Sequence, residues 1–96
     1  MSAIIEEFVS FLDPRAKADL RGTAKLVISD EGAVMLDETG ARAGDEEADV
    51  TLTASEDVFR NILSGDQNPV MAFMSGKLKV DGSTQRALKV SAILTD

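Results

Sequence analysis

Residues 68–82 read Asn68-Pro69-Val70-Met71-Ala72-Phe73-Met74-Ser75-Gly76-Lys77-Leu78-Lys79-Val80-Asp81-Gly82. A helix start, a helix stop and a strand follow one another within this stretch. Asn68 can cap a helix, and Pro69 suits its first position, because the fixed φ matches the turn and the missing N–H had no partner there. Gly76 supplies a left-handed stop. Between them stand five apolar residues in a row, Val70 to Met74. Such a run covers every side of a short helix, so it predicts apolar contact on more than one side. Core, a partner surface and a bound hydrophobic ligand all satisfy that demand. Beyond Gly76, Leu78 and Val80 alternate with Lys77 and Lys79, the pattern of a strand with one dry and one wet face.

Upstream, Val50, Leu52 and Ala54 alternate with Thr51 and Thr53 in a second half-buried strand. Ser55 is placed to cap a helix whose first turn holds Glu56 and Asp57, favourable at the positive end of the helix dipole. Val58, Phe59, Ile62 and Leu63 form its apolar stripe, and Gly65 ends it. Earlier still, Ala24, Leu26 and Ile28 share one strand face, and Val34 and Leu36 alternate with Met35 and Asp37. The turn Asp30-Glu31-Gly32 joins these runs as a hairpin, with glycine where positive φ is needed. Gly40 and Gly44 flank a short edge strand in an otherwise turn-like region. At the N-terminus, Ile4, Ile5, Phe8, Val9 and Leu12 make one helical stripe over Ser2 to Leu12, with Phe11 at its margin. Asp13-Pro14 is expected to end that helix, since the residue before proline avoids helical geometry. Ser83 caps a last helix with Ala87, Leu88, Ser91, Ala92 and Leu94 on or near one face. The order predicts an α+β fold with a mainly antiparallel sheet and helices on one side.

The 96 residues are read as one domain, able to bury a single core. No run approaches the roughly 20 apolar residues of a membrane helix. Glu6 and Glu7 near the start argue against a secretory signal, and the absence of cysteine leans toward a reducing cytoplasm. A net charge of −7 argues against a general nucleic-acid binder, which needs a basic surface, and against strong global attraction to anionic lipid. The charge is uneven. Ten acids and only Arg42 as a base lie from Asp30 to Asp57, whereas Lys77, Lys79, Arg86 and Lys89 gather in the tail. Solvated faces account for these runs. A sharper reading is a polarised molecule whose basic side steers it toward membrane surfaces or acidic partners.

Little catalytic chemistry is available. The chain has neither His, the usual general base near neutrality, nor Cys as nucleophile, and no strained nucleophile turn singles out a serine. Zinc ligation through His or Cys is excluded by composition. Asp45, Glu46, Glu47 and Asp49 lack the ligand rhythm of a calcium loop and read as a solvated turn. No cofactor is expected, and the chain reads as non-catalytic. What remains is apolar binding. Met71 and Met74 flank Phe73, and methionine adapts to differing hydrophobic shapes because it is unbranched and polarisable. Spacing alone leaves plain core, a dimer contact and a cavity wall open.

Several landmarks then fall into the order of a known family. These are Ala48-Asp49-Val50-Thr51-Leu52-Thr53, the capped helix Ser55 to Gly65, Asn68-Pro69, Ala72-Phe73, Gly76-Lys77-Leu78-Lys79, Gly82 and Ala87-Leu88-Lys89. In these the chain resembles the sterol carrier protein type-2 domain, most densely from Ala48 to Leu94. The resemblance implies a five-stranded sheet covered on one side by helices, with an apolar tunnel between the layers that takes fatty acids, acyl-CoAs, phospholipids or sterols. Carried onto matching positions, the tunnel wall comprises Val50, Leu52, Phe59, Phe73, Leu78, Val80 and Leu88; Met71 and Met74 are added from their spacing. Val34-Met35-Leu36 stands where the family usually carries an aromatic residue, and the peroxisomal tail of the animal carriers is missing. Both features fit a free-standing bacterial-type member. The expectation is therefore a cytoplasmic lipid-binding module that transfers its ligand through transient contact with a membrane surface or a lipid-metabolising enzyme. Its rival is an accessory protein docking on enzymes of lipid or isoprenoid-quinone synthesis without free transfer.

Overall fold

The computed structural model describes residues 3–95. The expected helix start at Ser2, and Asp96 of the tail, lie outside them. The elements are α1 (Ala3–Asp19), β1 (Ala24–Ile28), β2 (Gly32–Asp37), β3 (Gly40–Ala43), β4 (Val50–Ala54), α2 (Glu56–Ser64), α3 (Pro69–Met74), β5 (Lys79–Gly82) and α4 (Thr84–Leu94). They form an α+β fold with one five-stranded sheet in the order β3-β2-β1-β4-β5. One parity of each strand faces a continuous apolar core. Ala24, Leu26 and Ile28, Val34 and Leu36, and Val50, Leu52 and Ala54 meet Phe8 and Leu12 of α1, Phe59 and Ile62 of α2, Ala72 of α3 and Val90 and Leu94 of α4. All four helices therefore cover the same face.

The sheet is mixed: among the described residues, three of its four pairings are antiparallel, as the mainly antiparallel expectation has it, and one interior pairing is parallel. β1–β2, β2–β3 and β4–β5 are antiparallel, but β1 and β4 run parallel, with Leu26 opposite Leu52. Parallel neighbours require a crossover connection. Here residues 44–49 supply it by passing over the outer face of the sheet. The Gly44 amide donates to the Ala33 carbonyl at 3.1 Å, and the Asp49 amide to that of Thr23 at 3.0 Å. Lys25 reaches Asp45 at 2.7 Å, and Arg42 lies 3.5 Å from Glu46. Met35 is fully buried on this outer face. The acidic turn thus has its own basic counterparts and lids a methionine that alternation alone assigns to the wet side.

A correction concerns α1, which runs through Pro14 to Asp19. Its inward stripe simply continues, Leu12, Ala16 and Leu20 being buried at intervals of four. The turns on either side of the proline are tied to other elements. The Asp13 carboxylate accepts the Ala41 amide of β3 at 2.8 Å, and Arg15 donates to the Leu94 carbonyl of α4 at 2.9 Å. Packing outweighs the local preference against a helical residue before proline.

The predicted caps form. Ser55, Asn68 and Ser83 accept amides of the first turns they precede, and Gly65 takes φ 88° at the end of α2. In the β1–β2 hairpin, Asp30 also adopts positive φ, 68°, besides Gly32. The inward face of α4 is Ala87, Val90, Ile93 and Leu94; Leu88 and Ala92 lie off it, toward solvent. A phase error of one residue in a short helix turns a side chain by about 100°.

Candidate functional site

The predicted wall residues divide into two groups. Val50 and Leu52 of β4, Phe59 of α2 and Leu78 just before β5 are buried in the layer between sheet and helices, and Val80 is half-buried opposite Leu52. Phe59 meets the Phe8 ring edge-on, with centroids 6.4 Å apart, so the α1–α2 contact is an aromatic pair. The other four are at the surface. Met71 is 60% exposed, Met74 74% and Leu88 56%, with Phe73 and the neighbouring Val70 close to half.

The cause lies in the phase of α3. Its inward positions are Pro69 and Ala72, so the helix buries its small residues and presents its large ones outward. Asn68 fixes that phase. Its side-chain oxygen accepts the Val70 and Met71 amides at 2.8 and 3.2 Å, setting the entry of the chain. At the far end the Lys77 and Leu78 amides both donate to the Ala72 carbonyl, turning the chain back so that Leu78 enters the core. A helix held by two small side chains has a low cost of local opening.

Two clefts open beside this layer. One, of about 410 Å³, lies between α3 and α4 and has Pro69, Val70, Leu88 and Ala92 among its walls. Leu88 is the predicted residue that it takes up. The other, of about 440 Å³, lies between α1 and α2 over Phe8, Phe11 and Leu63, with Glu7 and Arg60 at its mouth. Both volumes suit a small apolar ligand. Arg60 is held by Glu7 and Glu56 and lies 5.3 Å over the Phe8 ring. The Arg60 guanidinium in turn holds the Glu7 carboxyl below its usual pKa. The mouth of this cleft is thus charged, one guanidinium being shared between two carboxylates, above an apolar floor. Phe11, which lies at the margin of the α1 stripe, and Leu63, which the periodicity assigns to the apolar stripe of α2, both line it. The offset of Phe11 from its stripe is the one signal the sequence offers for this cleft.

A model of the SCP-2 sterol transfer family matches residues 8–95. The chain belongs to this family. Among curated proteins, hydroxysteroid dehydrogenase-like protein 2 of Bos taurus is 43% identical over 49 residues, which is 51% of this chain but only 12% of that protein. The fatty acid-binding protein of Yarrowia lipolytica is 38% identical over 55 residues, covering 57% of this chain and 43% of that one. The chain thus matches a minor part of the length of each. In fold it is similar to the palmitate complex of Aedes aegypti Sterol Carrier Protein-2. That likeness has a TM-score of 0.77 at 20% identity and covers 98% of this chain and 96% of that one. Family membership and fold are thereby settled together. Among the described residues, no helix is long and apolar enough to cross a membrane.

Proposed function

We propose that the chain is a lipid-binding module that shields a fatty acid or similar amphiphile between its sheet and its helices, without catalysing a reaction on it. The observation that carries this reading is the pairing of an outward-facing apolar helix, α3, with an adjacent cleft and an entirely apolar core layer behind it. The guest enters between α3 and α4, past Val70 and Leu88. Because α3 buries only Pro69 and Ala72, it swings outward at small cost. Val50, Leu52, Phe59, Leu78 and Val80 then become one wall of the tunnel, and Met71, Phe73 and Met74 fold over the guest as the other. Burying roughly 300 Å² of apolar ligand surface at about 25 cal/mol per Å² contributes several kcal/mol before association costs, which suits micromolar binding.

Palmitate bound to the structural neighbour and the fatty acid-binding name of a relative support this ligand class. Native mass spectrometry of freshly purified protein, followed by solvent extraction, tests it. A co-purifying amphiphile, or micromolar displacement of a fluorescent fatty acid, is the expected result. Protein that neither carries nor binds any amphiphile ends the proposal.

A second reading, accessory docking on an enzyme of lipid or isoprenoid-quinone synthesis without free transfer, draws on the exposure of Val70, Met71, Phe73, Met74 and Leu88. It predicts stable association with that enzyme and no ligand transfer between vesicles.

A further inference from the structure

We propose that the outward face of α3 with Leu88 is the surface by which this protein docks on a negatively charged lipid bilayer. The inference rests on the lipid-binding reading above and names where the bilayer meets the molecule.

Three observations converge. First, α3 is amphipathic in reverse: Pro69 and Ala72 face the core, while Val70, Met71, Phe73 and Met74 face solvent, joined across the cleft by Leu88. Large apolar side chains at the surface of one short helix match the headgroup–acyl boundary, where such groups are buried without a protein partner.

Second, the charge of this part of the chain is opposite to that of the whole. Residues 67–95 hold four bases, Lys77, Lys79, Arg86 and Lys89, and one acid, Asp81, in a molecule of net charge −7. Asp81 pairs with Thr51, so it shares the outer sheet face with Lys79, away from the helices. Arg86 and Lys89 belong to α4 and Lys77 to the turn between α3 and β5, and α3, that turn and α4 hold no carboxylate among the described residues. Arg86 is engaged with Asp49 and the Arg21 carbonyl. Lys77 and Lys89 have no ion-pair partner among the described residues.

Third, Lys77 follows the αL turn at Gly76, at the immediate end of the apolar face. An ammonium there meets lipid phosphates while Phe73 and Met74 enter the acyl boundary; the carboxylate nearest α3 in sequence, Asp66, lies at the opposite end of the helix, before the Asn68 cap, and accepts a hydrogen bond from Ser64. Unpaired lysines next to insertable apolar side chains are the complement of an anionic lipid surface. Docking through α3 would also place the cleft mouth against the bilayer, where a guest passes without crossing water.

Co-sedimentation of the full chain with vesicles tests this. Vesicles of phosphatidylcholine alone are compared with vesicles of equal parts phosphatidylcholine and phosphatidylglycerol. The wild-type chain is expected to pellet with the mixed vesicles and to be released by salt. The double variant Phe73→Ser/Met74→Ser, altered only at exposed positions, is expected to retain its melting temperature and lose about tenfold or more in partitioning. Lys77→Glu is expected to lose about tenfold on the mixed vesicles and little on the neutral ones. Pelleting of both variants like wild type overturns the proposal, as does failure of the wild type to pellet. So does concentration-dependent self-association of the wild type that the double variant abolishes, because a second copy then covers the face. Fluorescent fatty-acid binding without vesicles separates the two readings. Binding without pelleting ends the docking surface alone; α3-dependent pelleting without binding ends carriage and leaves the docking surface standing.

Discussion

Removing the Arg15 guanidinium is expected to loosen the last turn of α4 ahead of the rest of the molecule. Its Nη1 donates to the Leu94 carbonyl at 2.9 Å and lies 3.3 Å from that of Ile93. These belong to the final turn of α4, where the last carbonyls lack the amide four residues on, although that of Ile93 also accepts the Thr95 amide, and a cation there is favoured by the helix dipole. The guanidinium further lies 4.3 Å from the Phe11 ring centroid. A charge-assisted hydrogen bond contributes about 1.5–3 kcal/mol, and a half-exposed cation–π contact about 0.5 kcal/mol. Partial solvent access puts the whole near the lower end, about 2 kcal/mol. For a domain of this size that lowers Tm by on the order of 10 °C.

Arg15→Met keeps the aliphatic stem and removes only the charge and donors. Thermal melting gives the magnitude and hydrogen exchange gives the location. Amides of Ser91 to Thr95 should lose protection, while those around Phe59 and Ile62, both fully buried, change only with global stability. An unchanged Tm with unchanged α4 exchange refutes the clamp. If release of a bound fatty acid requires α4 to loosen, the same variant shortens its residence time. A loosened α4 with an unaltered off-rate assigns release to α3 instead.

Gly82→Ala is expected to cost more than about 2 kcal/mol in urea unfolding. Gly82 has φ 105°, and an added Cβ would stand 2.4 Å from the Asp49 carbonyl oxygen; an unchanged midpoint would show that β5 tolerates the side chain. Leu52→Ala, at a fully buried central position, should lose about 2–5 kcal/mol. Phe73→Ala should stay within about 0.5 kcal/mol while weakening fatty-acid binding; a stability loss like that of Leu52→Ala would make Phe73 core. Asp37 accepts hydrogen bonds from Thr39 and from Arg42, which hold its pKa at about 2, below the ordinary 3.8. Its folded value being depressed, its contribution is complete above about pH 4 and is lost as pH falls toward about 2. Asp37→Asn should flatten the acid side of the urea-midpoint profile over that window, and parallel profiles would rule the contribution out.

The order of elements was legible in the chain because each boundary is a local event. Ser55, Asn68 and Ser83 cap amides two or three residues away, and Gly65 and Gly76 turn left-handed without reference to anything distant. The core parity of β1 and β4 and the family landmarks from Ala48 onward are local patterns of the same kind. Tertiary packing decided the rest. That β4 lies parallel to β1 depends on residues 44–49 crossing the sheet, which buries Met35 and pairs Lys25 with Asp45 twenty residues away. That α1 passes through Pro14 depends on anchors in β3 and α4. In the candidate site, the run Val70 to Met74 predicts apolar contact on more than one side, but the structure buries only Ala72 of the five. An apolar run has no polar face to mark its outside, so the phase of α3 was set by Asn68 at one end and by Leu78 entering the core at the other.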